Sequence, residues 1–219
     1  VAGLFITLEG GEGSGKSTHA RTLAGRLRAE GHEVSVTQEP AGTPLGSLVK
    51  DIFERRAAGD SPPITPHAEL FLFAAARADH VRTVIRPALD AGQIVVCDRF
   101  ADSTVAYQGY GRGLSLKEIA DLNRIATKGL TPDLTLLLDL PPEAGLARAG
   151  SRHERGHARD SLGEETLDFH KRVREGFLAI ARKEPERVVI IDAAEPKDRV
   201  ADAIWSELQA RFTARPVRN

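Results

Sequence analysis

The chain has 219 residues, 41% apolar and 28% charged, enough to bury one sizeable core and more in keeping with one domain than with two. Its 30 basic and 31 acidic residues leave a net charge of -1, which excludes a global basic surface for nucleic acid or an anionic membrane, so any anion site must be local. The single cysteine, Cys97, excludes an internal disulfide framework and fits a reducing cytosol, and no apolar run approaches the ~18–20 residues that span a bilayer.

No secretory signal precedes the first apolar run, and a start at Val1 with no methionine points to a processed or trimmed N-terminus. That run, LFITLEG (4–10), is read as a strand, and Ala20, Leu23, Ala24 and Leu27 then form the stripe of a helix. Further strands are expected at EVSVTQE (33–39), QIVVCDRF (93–100), LTLLLDL (134–140) and RVVIIDA (187–193). All but the second carry continuous Val/Ile/Leu runs, the pattern of strands buried on both faces. Pro66, Pro142 and Pro196 are placed to start helices, Ser115 and Glu118 have capping-box spacing, and Val200, Ile204, Leu208 and Phe212 make a final stripe. This alternation predicts an α/β fold, a doubly wound, five-stranded parallel sheet with helices on both faces. There is no internal repeat and no Pro- or Ser-rich linker. One segment, GSRHERGHARDSLG (150–163), has almost nothing to bury and is expected to be a solvated loop or a mobile lid.

Between the first strand and first helix, Gly10, Gly11, Glu12, Gly13, Ser14, Gly15, Lys16 and Ser17, followed by Thr18, match G-x-x-x-x-G-K-[ST] in its required setting. Glycines let backbone N–H groups close around phosphate oxygens, and the helix behind them adds its positive end. Lys16 is predicted to reach the β- and γ-phosphates and Ser17 to help hold Mg²⁺. The alternative is a glycine-rich turn without a ligand. Among nucleotide-binding classes, a GTPase lacks its N-K-x-D motif here, DSLG (160–163) matches D-x-x-G only formally, and a motor usually needs a longer chain. A small kinase remains, and it requires an acceptor site. Asp98 and Arg99 end the third strand, where a carboxylate can hold a magnesium water and an arginine can clamp a phosphate. Asp139 and Asp192 also end strands, so it is the adjacent arginine that favours Asp98.

With these residues in view, the chain resembles the bacterial thymidylate kinases along nearly its whole length. The carriers are FITLEGGEGSGKST (5–18), EPAGTPLG (39–46), ELFLFAAARADHV (69–81), DRFADSTVAYQG (98–109) and LLLDLPPEAGLAR (137–148). The resemblance implies ATP-dependent phosphorylation of dTMP to dTDP, with Mg²⁺, in a cytoplasmic homodimer whose 219 residues form one P-loop kinase domain with an arginine-rich lid at about 148–163. It implies that Phe73 stacks on the base, Arg77 bonds the base's carbonyl edge and Thr104 adds a polar contact. Arg99 is then the monophosphate clamp, and Tyr107 crowds the ribose 2′ position. Glu39 and Gln108 complete the acceptor set, Glu12 lies near the acceptor sugar and magnesium, and Ser17 and Asp98 serve the metal. The acidic Glu12 is similar to the bacterial subgroup in which the lid supplies the arginines, and this resemblance implies that Arg152, Arg155 and Arg159, with Arg148 before them, stabilise the moving phosphoryl group. Two places depart from the family pattern. Gln38 and Ala41 stand where it has Arg and Gly, and Asp160–Ser161–Leu162–Gly163 stands where related chains read D-R-I-E. A kinase for another deoxynucleotide or a deoxynucleoside is the nearest alternative, and a nucleotide-dependent switch is the next.

A rival motif lies in the same segment. HERGH (153–157) spells H-E-x-x-H, in which His153 and His157 could ligate zinc beside Glu154. That chemistry needs a helix anchored to a core, whereas Gly156 and the surrounding arginines argue against one.

Overall fold

The computed structural model describes residues 3–60, 62–153 and 165–213. Its centre is a parallel sheet of five strands: β1 (Leu4–Glu9), β2 (Val34–Gln38), β3 (Ile94–Asp98), β4 (Leu134–Asp139) and β5 (Val188–Asp192). They lie in the order β2-β3-β1-β4-β5, so β1 sits in the middle, flanked by β3 and β4. Its register pairs Leu8 with both Asp98 and Leu136, which brings the C-terminal ends of the three central strands to one edge. Open α/β sheets bind ligands outside that edge.

One face of the sheet packs Ile6, Leu8, Val96, Leu136 and Leu138 against α1 (Lys16–Ala29) and α9 (Lys197–Thr213). The predicted stripe of Ala20, Leu23, Ala24 and Leu27 is buried here, as are Val200, Ile204 and Leu208. Three further helices precede β3: α2 (Pro44–Ala57), α3 (Pro66–His80) and α4 (Arg86–Asp90), the last two joined by a π-helical turn, π1 (Val81–Ile85). After β3 come α5 (Ala101–Thr104), the π-helical stretch π2 (Val105–Gly111) and α6 (Leu116–Thr127). After β4 come α7 (Pro142–His153) and α8 (Leu167–Lys183). On the second face, Val81 and Ile85 of π1 cover Phe5, Val95 and Cys97, while π2 and α8 pack Tyr107, Phe169 and Phe177 onto Leu137. The doubly wound arrangement is therefore present.

The expected starts are also present. Pro66 and Pro142 are the first residues of α3 and α7, Pro196 immediately precedes α9, and the Ser115 hydroxyl accepts from the Glu118 N–H. One expectation is corrected. The β5 run predicts a strand covered on both faces, yet β5 is an edge strand and Ile190 is 49% exposed. Val188 is buried in the α8 cluster, but Ile190, two residues further along the same face, lies beyond that cover.

Candidate active site

Three chain segments that follow strand ends meet around a cavity of about 330 Å³: the P-loop after β1, the turn after β2, and the Asp98–Arg99 turn after β3. At the P-loop, Gly15 caps α1 in the left-handed region (φ 93°) with no side-chain cap. The N–H groups of Lys16 and Ser17 can thus face an anion, while that of Thr18 donates to Gly15 O (3.1 Å). Lys16 is buried, and its Nζ donates to Gly10 O (3.1 Å), Gly11 O (2.8 Å) and Ser14 Oγ (3.3 Å). Burial first, then the Arg99 charge, lowers the Lys16 pKa to about 8. The loop also rests on α7: a Cβ on Gly13 would collide with the Gly145 carbonyl, and one on Gly145 with the Glu12 carbonyl.

Asp98 closes β3 with its carboxylate beside Ser17, whose Oγ donates to Oδ2. The other oxygen, Oδ1, is buried and has no hydrogen-bond partner among the described residues. Ser17 Oγ and the unpartnered Asp98 Oδ1 are hard oxygen donors that fit a magnesium ion or its bound water.

Arg99 follows in a left-handed backbone conformation (φ 71°) that a non-glycine residue rarely adopts. That twist turns its side chain back over the P-loop. Nη1 reaches Gly10 O (3.4 Å) and Ser103 Oγ (3.2 Å), and Nη2 reaches the Tyr107 hydroxyl (3.2 Å). Burial opposes the Arg99 charge, but Tyr107, Asp98, Glu12 and Glu9 more than offset it, and the pKa lies above its ordinary value. Glu9, at the end of β1, holds the turn from below. Its Oε1 accepts the N–H groups of Phe100 (2.7 Å) and Ser103 (3.3 Å), and its Oε2 accepts the Ser103 hydroxyl (2.6 Å). Burial, then the Asp102 charge, raises the Glu9 pKa to about 7.

The cavity lining also brings together apolar and polar side chains from α2, α3 and the segment after β3. Phe73 stacks on Phe53 with ring centres 4.8 Å apart and planes 2° from parallel, and both rings line the cavity. Arg77 is buried and engaged through every nitrogen. Nε and Nη2 meet Glu39 at 2.9 and 2.7 Å, Nη2 also meets Phe100 O, and Nη1 donates to Thr104 Oγ1 and Asn123 Oδ1, both at 2.8 Å. Both hydrogens of Nη1 are therefore spent on protein oxygens. Gln108 donates from Nε2 to Glu69 Oε1 at 2.8 Å.

Of the residues singled out in the sequence, Glu12, Gly13, Gly15, Lys16, Ser17 and Thr18 line the cavity from the P-loop. Glu39, Phe73, Arg77, Asp98, Arg99, Thr104, Tyr107 and Gln108 line it from the other segments. Gly10, Gly11 and Ser14 form the loop behind Lys16. Gln38 and Ala41 also reach the cavity, whereas Arg148 instead bonds the carbonyls of Ala193 and Ala194 after β5. Arg155, Arg159 and nearly all of HERGH lie outside the described residues; α7 includes Arg152 and His153 in its backbone trace. Sequence reading missed Phe53, Lys50, Glu9, Glu69 and Gly145. Only Phe53 and Lys50 left a signal, as residues on the cavity side of an amphipathic α2.

The family model for thymidylate kinase matches residues 8–204 of the chain. A thymidylate kinase of Synechococcus sp. (strain JA-2-3B'a(2-13)) is 54% identical over 95% of the chain and 96% of that protein. One from Deinococcus radiodurans is 49% identical over 95% of the chain and 98% of its own length. Among solved structures, the crystal structure of thymidylate kinase from Ehrlichia chaffeensis superposes with a TM-score of 0.73 at 33% identity, covering 95% of this chain and 99% of that one.

Proposed function

The chain belongs to the thymidylate kinase family, and from that premise we propose that its cavity seats dTMP against the P-loop so that the Arg99 turn presents the acceptor phosphate to ATP. The enzyme transfers the γ-phosphoryl of ATP to dTMP, giving dTDP and ADP. One observation carries the proposed geometry: Lys16, Arg99 and the Phe53–Phe73 stack line a single cavity.

Phosphoryl transfer leaves the protein little covalent chemistry, so its work is positioning and charge compensation. Lys16 exchanges its carbonyl partners for the donor's phosphate oxygens, and the free N–H groups of α1 take the rest. Arg99 offers paired N–H groups to the monophosphate, already aimed by Ser103 and Tyr107. Phe73 stacks on the base, Thr104 meets its polar edge with Arg77 held behind it, and the buried Tyr107 ring limits space beside the sugar. Glu12 faces the same cavity near the acceptor. Ser17 and Asp98 would hold Mg²⁺, which when bound neutralises charge on the donor's phosphate oxygens. Arg152, Arg155 and Arg159 are proposed, on the sequence resemblance alone, to add positive charge to the transferring group.

We read the 219 residues as one kinase domain that feeds deoxynucleotide synthesis in the cytoplasm. Among the described residues no helix is long and apolar enough to cross a membrane. A homodimer is supported by apolar side chains left outside on three neighbouring helices: Leu48 (62% exposed) on α2, Phe71 (59%) on α3 and Ile125 (64%) on α6.

The test is Arg99→Ala, assayed for binding and turnover separately. Affinity for ATP should stay within about twofold while dTMP affinity falls about 100-fold, because the lost charge pair faces the acceptor. Lost ATP affinity with dTMP binding unchanged would overturn the assignment.

A further inference from the structure

Glu69 lies on α3, at the edge of the site rather than in the reacting centre, and its side chain is 1% exposed. Among the described residues, every group that hydrogen-bonds its oxygens is a donor. Arg112 approaches through Nε at 3.2 Å and Nη2 at 3.1 Å, Arg56 through Nη1 at 3.4 Å, and Gln108 through Nε2 at 2.8 Å. A carboxylate so surrounded only accepts, so the Gln108 amide can turn only its NH₂ toward it. The amide oxygen is then left over. It has no partner among the described residues, and Gln108 lines the cavity.

Four residues earlier, Thr104 stands in the opposite situation. Its Oγ1 accepts from Arg77 Nη1 at 2.8 Å, so its own hydrogen is free to donate, and it too lines the cavity. A buried anion thus fixes an acceptor at Gln108, and a buried cation leaves Thr104 its hydroxyl hydrogen to donate. We propose that Glu69 is a positioning residue that sets the hydrogen-bond polarity of the acceptor pocket, selecting pyrimidines with a C4 carbonyl and an N3–H over those with a 4-amino group. Thymine and uracil offer the matching acceptor and donor side by side. Cytosine offers the reverse, an amino donor to Thr104 and a bare N3 to the Gln108 oxygen. Binding it would set the bare N3 against the Gln108 oxygen, two buried acceptors with no hydrogen between them, a larger penalty than a misfit of shape.

This inference rests on the dTMP reading, and the wild-type enzyme tests that reading by its turnover of dTMP over dCMP. Glu69→Gln keeps the shape but gives position 69 both a donor and an acceptor, so the Gln108 amide is free to turn over. The preference for dTMP over dCMP in kcat/KM should fall about 10-fold or more, through KM for the acceptor, with KM for ATP unchanged. A purely structural role would weaken both acceptors alike, so an unchanged preference would overturn the proposal. A second measurement does not depend on that variant folding. In the free wild-type enzyme, the Gln108 carboxamide protons, assigned by their loss in Gln108→Leu, should be protected from solvent exchange. Exchange as fast as that of an exposed glutamine would contradict a fixed amide.

Discussion

The Arg99 guanidinium lies 5.0 Å from the centre of the Tyr107 ring and donates to that ring's hydroxyl at 3.2 Å. The ring in turn is wedged between Phe169 and Phe177, at centroid distances of 6.2 and 6.1 Å, so α8 fixes the direction in which the cation points. A side chain with four rotatable bonds is thereby ordered before substrate arrives, which lowers the entropy cost of binding the phosphate.

Tyr107→Phe keeps the wedge and removes one hydrogen bond to a charged group. It should lower kcat/KM for dTMP about 10-fold without changing KM for ATP. Tyr107→Ala should in addition reduce the preference for dTMP over its ribonucleotide counterpart. Steady-state kinetics with both acceptors checks the pair; equal losses for the two acceptors in the alanine variant would speak against Tyr107 as the group beside the sugar.

Gly145 and Gly150 both lie in α7, where alanine ordinarily stabilises a helix by about 0.5–1 kcal/mol over glycine. Around Gly150 a Cβ would meet nothing within 4 Å, so Gly150→Ala should show that gain in chemical denaturation. At Gly145 the Cβ would meet the Glu12 carbonyl, and the backbone on both sides is fixed. Gly145→Ala should therefore push the P-loop and weaken ATP binding about 10-fold or more, measured by titration. An alanine at 145 that stabilised without affecting ATP would show that the two segments are not in register as described.

Glu9 has a pH signature. Burial raises its folded pKa from 4.5 to about 7. The folded protein then holds a proton that the unfolded chain releases, so the stability from this group is fully present below pH 4.5 and is lost as pH rises through about 7. Glu9→Gln removes that dependence. The stability of the wild type relative to the variant should fall between these limits by about 3 kcal/mol at most, read from urea unfolding across the range. Parallel curves would contradict the raised value.

Lys16, held at about pKa 8 in the free enzyme, should be fully charged once phosphates face it. ATP binding at pH 8 should take up about half a proton, and at pH 6.5 almost none from this group. Calorimetry in buffers of different ionisation enthalpy measures this uptake. No buffer dependence at pH 8 would mean that the amine is not desolvated in the free state.

Much of this molecule is legible in the chain. Continuous apolar runs locate four of the five strands and a shorter Val-rich run locates β2, because a strand's burial is written in its own residues. Local motifs place the P-loop and the Asp98–Arg99 turn, whose geometry depends on adjacent positions. What escapes is whatever depends on a distant partner. Val188 and Ile190 read alike, but only the sheet order shows that the second is uncovered. Glu69 reads as a polar residue in an apolar helix, and nothing nearby reveals that Arg56, Arg112 and Gln108 converge on it. Phe73 is ambiguous alone, since core packing and base stacking use the same residue; Phe53, twenty positions earlier, makes the platform. The sequence resemblance gives the Arg77 donors to the base, whereas in the structure Glu39, Phe100 O, Thr104 and Asn123 hold them, so its influence passes through Thr104.

The most direct test of the whole account is ADP release from Mg·ATP with dTMP, dUMP, dCMP, UMP and thymidine offered in turn. The account predicts strong turnover with dTMP, less with dUMP, and little with dCMP, UMP or thymidine, since each of these lacks the base polarity, the deoxy sugar or the phosphate that the cavity reads. Equal turnover with all five, or none above the background hydrolysis of ATP, would contradict it.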